Sequence, residues 1–142
     1  MQTRIKPARF EYRRLPALRF IGIDAWRTKE DWSDLWRRKD EILAPLDELK
    51  EFLYSELPYS CVLCHHDDGE VDKVNRYIVG KFFTADTPVP EGYDYHDLSP
   101  QTPAYAVFEN ETSGDLFTRY YIVRDKILAE GVTIPYPVGY WH

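Results

Sequence analysis

The run Cys61-Val62-Leu63-Cys64-His65-His66 carries the residue types with the most chemistry in them. Its Cys-x-x-Cys-His spacing fits covalent haem attachment, in which two thiols add to the haem vinyls and the adjacent imidazole ligates iron. That chemistry normally takes place outside the cytoplasm. The opening Met1-Gln2-Thr3-Arg4-Ile5-Lys6 leads into no apolar export segment, and Met1, the single methionine, offers no useful axial ligand. Zinc is the second chemistry on offer, through Cys61, Cys64, His65 and His66. A structural zinc site needs its ligands to converge on a tetrahedron. On a strand, side chains alternate between faces, so Cys61 and His65 point one way and Cys64 and His66 the other. Convergence would need the following Asp67-Asp68-Gly69 turn to fold back and add Asp67 or Asp72. A disulfide fails on the same alternation, and a reducing compartment disfavours it. The sequence therefore predicts ordinary strand residues here, with no metal and no cofactor.

No Ser/His/Asp arrangement stands out, and the 7 glycines are scattered without forming a phosphate-cradling loop. No residue is assigned a catalytic role. Acids beside aromatic rings are the stronger candidates for chemistry. On a strand from Ala104 to Glu111, Tyr105, Val107 and Glu109 share one face, with Tyr105 and Glu109 about 13 Å apart at strand rise. A carboxylate among Tyr and Trp rings attracts a cationic or amphipathic ligand by charge and by cation–π contact. The bland alternative places Glu109 at a strand end in solvent. Tyr77 on a strand, and Trp36 and Tyr121 on helices, are further ring candidates, each equally at home in a core. The basic run Arg37-Arg38-Lys39, followed by Asp40-Glu41, reads as a solvated helix face.

The elements that must position these residues can be read in order. Phe10 to Leu15 is a first strand and Leu18 to Trp26 a second, with Phe20-Ile21-Gly22-Ile23 β-branched and aromatic. Thr28-Lys29-Glu30-Asp31 has the Thr-x-x-acid form of a helix start. Trp32, Leu35, Trp36, Ile42 and Leu43 follow near helical spacing and face the core, predicting one helix from Thr28 to Leu43. Pro45 ends or kinks it. Leu46, Leu49, Phe52 and Leu53 form the stripe of a short helix to Ser55. Tyr59 to His66 and Val74 to Phe83 read as a hairpin, and Gly80 inside the second strand marks a bulge or a close backbone approach. Thr87 to Gly92 is a loop and Tyr93 to Leu98 a short strand. After the strand Ala104 to Glu111, a helix from Ser113 to Glu130 is stopped by Gly131. Val132 to His142 is extended.

Part of this order repeats. With a constant offset, Trp32 matches Phe117, Ser33 matches Thr118, Trp36 matches Tyr121, Lys39 matches Arg124 and Asp40 matches Asp125. Ile42-Leu43-Ala44 recurs as Ile127-Leu128-Ala129. A strand–helix unit written twice indicates an internal duplication. The expected fold is α+β: a duplicated β-α-β-β unit, with halves at about 10–86 and 93–142, two main helices and a strongly curved, barrel-like antiparallel sheet around a central cleft. Strand connections of hairpin length favour this over a parallel α/β sheet.

With 142 residues, 44% hydrophobic and 30% charged, the chain suits one globular domain. No apolar run is long enough to span a membrane, and the expected location is the cytoplasm. A net charge of −6 repels phosphate backbones, so direct nucleic-acid binding is not expected. The aromatic fraction, 15% from 11 Tyr, 7 Phe and 4 Trp, exceeds the needs of a core and suits a pocket with flat walls and polar tips.

Several segments together resemble a known family. Leu15-Pro16-Ala17-Leu18-Arg19-Phe20-Ile21-Gly22, Val89-Pro90-Glu91-Gly92-Tyr93 and Pro103-Ala104-Tyr105-Ala106-Val107-Phe108-Glu109 are similar, in that order, to the GyrI-like small-molecule-binding domains. These also form the effector-binding halves of some AraC- and MerR-type transcription regulators. The resemblance spans most of the chain. It implies two β-α-β-β repeats, an aromatic-lined cleft and binding of hydrophobic, often cationic, small molecules. Gly139 in Pro137-Val138-Gly139-Tyr140-Trp141 stands where many members carry a pocket glutamate, which weakens both a preference for cations and the hydrolase activity of one branch. No room remains for a helix-turn-helix. The leading expectation is a small-molecule-binding domain with Trp26, Trp36, Tyr77, Tyr105, Tyr121 and Tyr140 as walls and Glu109 as anchor. The rivals are a hydrolase using a pocket carboxylate as general base, and a protein-interaction module like the gyrase-inhibitor branch, its partner unknown.

Overall fold

The computed structural model describes residues 9–66, 75–107, 116–131 and 139–141, with the backbone alone described at 32, 64–66, 75–76, 116–121 and 139–141. The chain is α+β and divides into two compact units, one within Met1–Leu15 and Gln101–Pro135, the other within Pro16–Pro100 and Tyr136–His142.

In the first unit, β1 (Arg9–Tyr12) pairs antiparallel with β6 (Ala104–Val107), and the bridge Leu15↔Gln101 extends the ribbon. Rings and cations alternate over it. The Arg13 guanidinium lies 3.9 Å from the Tyr105 ring centroid and the Lys126 ammonium 4.9 Å from that of Phe10. The Tyr12 hydroxyl donates to Glu130, a bond that raises its pKa. Lys126 and Glu130 belong to the end of α4 (Leu116–Ala129), where Gly131 takes a left-handed φ of 79° and stops the helix as the sequence predicts.

The second unit holds the main sheet. β2 (Leu18–Asp24), β3 (Cys61–His66), β4 (Asn75–Thr84), β5 (Asp94–Leu98) and β7 (Gly139–Trp141) lie in the order β5-β2-β4-β3-β7, every pair antiparallel. Among the described residues neither sheet closes into a barrel, so the barrel-like expectation is corrected. β6 pairs with β1 in a two-stranded sheet of its own, and β5 and β7 are the edges of the main sheet.

Gly80 marks a close backbone approach. It stands opposite Gly22, and a Cβ built on Gly22 would fall 2.6 Å from the Gly80 Cα, with the Val79 carbonyl oxygen nearer still. Two strands can meet this closely only where neither carries a side chain. Ile21, Val62, Val79 and Phe83 on the same sheet are fully buried. Leu35, Leu43 and Leu46 cover them, and their alternation with polar neighbours is what folds the intervening segment down onto the sheet.

That segment is where the sequence reading needs its second correction. The single helix expected from Thr28 to Leu43 is three short ones: α1 (Ala25–Thr28), α2 (Trp32–Arg37) and α3 (Lys39–Leu43). α1 begins where β2 ends, the Asp24 carboxylate accepting from the Trp26 amide at 2.9 Å. It stops at Lys29, which takes the left-handed conformation (φ 59°, ψ 28°) while its amide donates to the Ala25 carbonyl. Asp31 then caps α2 through the Ser33 amide at 2.8 Å. Arg38 (φ −108°, ψ 23°) separates α2 from α3. Thr28 is thus the last residue of one helix and not the cap of another. Pro45 sits in the first turn of a 3₁₀ segment, Ala44–Phe52, which kinks at Leu49 and replaces the short α-helix expected there.

Candidate functional site

The Cys/His run lies on β3, hydrogen-bonded between β4 and β7. Cys61 is fully buried, its Sγ donating to the Tyr59 carbonyl at 3.4 Å, and burial pushes its thiol up to about 12. A neutral thiol sealed from solvent is a poor nucleophile. In the Cys64→Ser variant, Cys61 is therefore expected to ignore a thiol reagent at about pH 8 until the protein is unfolded. The folded pKa lies above the unfolded value of about 8.5, so the stabilisation is complete below that value and is lost as pH rises through about 12. The urea midpoint of this variant should fall more steeply above about pH 9 than that of Cys61→Ala/Cys64→Ser.

The aromatic candidates are distributed between the units. Tyr105 lies on β6 of the first unit, half-buried under Arg13. Tyr121 lies on α4 and Tyr140 on β7, where it pairs with Leu63, both by backbone alone. Glu109 lies outside the described residues. Trp36, on α2, is half-buried and packs against the main core, with the Lys39 ammonium 4.8 Å from its ring centroid. Trp26 and Tyr77 are brought together. They line one open pocket of about 610 Å³ whose described lining belongs to the second unit.

This pocket is built by the strand-to-helix junction. Because Asp24 ends β2 and caps α1 at once, Trp26 is thrown outward and is 55% exposed, a high value for a tryptophan. Tyr77, on β4, packs against the core cluster and also lines the pocket. Among the described residues Ala25, Arg27, Lys29, Glu30 and Asp31 also line it. The volume falls in the range of small-molecule sites.

Charges at the rim are mostly paired. Arg27 Nε lies 2.7 Å from Asp94 Oδ1, and its Nη2 donates to the Gly92 carbonyl at 3.2 Å. Arg38 Nη2 donates to both Glu30 carboxylate oxygens, at 2.7 and 2.8 Å. The Ser33 hydroxyl and amide hold the Asp31 carboxyl below the usual aspartate value, so it is ionised at neutral pH. Arg27, Lys29, Glu30 and Asp31 were not singled out as site residues by the sequence. Arg27 and Asp94 lie far apart in the chain, and no local spacing announces their pairing. The break at Lys29 has no glycine or proline to signal it.

The second landmark of the unit is the loop before β5. The Tyr93 hydroxyl donates to the Ile42 carbonyl at 2.7 Å, pinning Val89 and Tyr93 against the core, and Gly92 supplies the left-handed turn (φ 86°). Arg19 closes the other side of this loop, donating to the Thr87 carbonyl at 2.9 Å and to Asp97 at 2.7 Å, whose carboxyl it holds below the usual range. These contacts fix Asp94, and Asp94 fixes Arg27. Among the described residues no helix is long and apolar enough to cross a membrane. Compared with known proteins, the chain matches no protein-family model and no curated protein.

Proposed function

We propose that this chain is a GyrI-like small-molecule-binding domain whose ligand is flat and hydrophobic. The observation that carries the reading is that an exposed Trp26 and Tyr77 line the same open pocket. Two rings offer a planar ligand area and dispersion contact with few directional bonds, which supports affinities on the order of micromolar. The duplicated β-α-β-β unit belongs to the same reading. It is supported by the matched residue types, Trp32 with Phe117, Trp36 with Tyr121 and Ile42-Leu43-Ala44 with Ile127-Leu128-Ala129. Control of transcription or protection of a target would then pass through a partner protein.

The test is a titration with a panel of neutral and charged planar aromatics, read by tryptophan fluorescence and by melting temperature. The expected result is saturable quenching that is lost in Trp26→Ala and weakened about tenfold in Tyr77→Ala, as for a stacking residue that supplies roughly 1 kcal/mol or slightly more. Both variants should keep the wild-type fold, since one ring is exposed and the other only partly packed. Neither quenching nor a melting shift across the whole panel, or undiminished binding in Trp26→Ala, removes the proposal.

A further inference from the structure

The same pocket carries information about the charge of what it holds. Four ionised side chains line it. Arg27 is engaged by Asp94, and Glu30 by Arg38. Asp31 is engaged at the start of α2 by the Ser33 amide and hydroxyl. Lys29 differs: its ammonium has no ion-pair, hydrogen-bond or ring partner among the described residues. Its backbone adds a second, independent observation. Lys29 occupies a left-handed position, φ 59°, where glycine or asparagine is the unstrained choice. A long cationic side chain held there against backbone preference, at the rim of a pocket, is strain of the kind that accompanies use.

Resting on the proposed function, we infer that the ligand is a planar aromatic acid. Its rings lie between Trp26 and Tyr77, and its carboxylate is met by the Lys29 ammonium. The sequence-based expectation of a cationic ligand leaned on Glu109, which lies outside the described residues. At this pocket Glu30 is ion-paired with Arg38 and the Asp31 Oδ1 accepts from the Ser33 amide and hydroxyl, which leaves the Lys29 ammonium as the one lining charge with neither an ion pair nor a hydrogen bond among the described residues. The ammonium is a compact charge on a flexible stem and takes a carboxylate without demanding bidentate geometry. In an open pocket the pair is screened, and the preference for an acid over its neutral isostere is about three- to fivefold.

Calorimetric titration with three probes of one shape tests this: 2-naphthoate, 2-naphthalenemethanol and 2-naphthylmethylammonium. In low salt, naphthoate is expected to bind about three- to fivefold more tightly than the alcohol, with the ammonium weakest. Lys29→Gln should bring naphthoate to the level of the alcohol and leave the alcohol unchanged, and about 0.5 M salt should do the same to the wild type. Lys29→Gly is the second variant. It relieves the left-handed strain, so it should fold at least as well as the wild type while also losing the preference for the acid. Equal binding of all three probes, a preference for the ammonium, or an acid advantage that survives both substitutions overturns the inference and leaves the ring pocket standing. Failure of every probe to bind removes the pocket itself.

Discussion

Gly80→Ala is expected to destabilise the protein by about 3 kcal/mol or more, far beyond the ordinary loss for adding one methyl. The added carbon would fall 2.9 Å from the Gly22 Cα and 2.7 Å from the Ile21 carbonyl carbon. Both obstacles are backbone, so no rotamer change relieves the clash. The strands must separate, and separation breaks ladder bonds on the two central strands of the main sheet. Gly22→Ala is expected to cost a similar amount, for its Cβ meets Gly80 Cα and the Val79 carbonyl. The double variant should cost less than the sum, because one separation of the strands accommodates both carbons. Urea unfolding of the three variants measures this. A Gly80→Ala midpoint within experimental error of wild type would show that the strands are not pressed together there.

Leu35→Ala is expected to cost about 2–5 kcal/mol. Leu35 is fully buried, and it is the side chain through which α2 reaches Ile21, Val79 and Phe83 in the core cluster. Its removal leaves a cavity on a six-residue helix that has little stability of its own. The effect should therefore spread to the pocket, since Asp31 begins that helix and Lys29 precedes it. Weaker ligand binding is expected alongside the lower urea midpoint. Leu128→Ala is the control: Leu128 is 51% exposed on α4, and a change within about 0.5 kcal/mol is expected. Equal losses at the two leucines would contradict the placement of the core.

The strands were legible because their signals are local. Phe20-Ile21-Gly22-Ile23, the β3–β4 pairing and the turn before β5 are written in residue type and spacing, and the structure finds each within a few residues of its expected span. Gly80 was legible as a close approach, though its partner Gly22 was not, because opposition depends on register. The Thr28–Leu43 helix misled for a definite reason. Leu35, Trp36, Ile42 and Leu43 keep helical spacing across the break at Arg38, so periodicity reads straight through it, and the Thr28-x-x-Asp31 pattern reads as one helix start across the break at Lys29. The breaks are made by Asp24 and Asp31 capping at two-residue reach, and by a lysine in a glycine-like conformation. Trp26 and Tyr77 stand out in the sequence by residue type alone, and the structure places both at one pocket. The rim between them was not legible, because Arg27–Asp94 and Glu30–Arg38 are tertiary pairings.

The handover from β2 to α1 has no slack in it. Asp24 is at once the last rung opposite Ile78 and the carboxylate that seats the Trp26 amide. The indole is thereby geared to the alignment of the sheet: a slip of β2 by one residue would carry it to the opposite side. Trp26 emission should consequently act as a gauge of strand alignment, changing with substitutions at Gly22 or Gly80 that never touch the pocket.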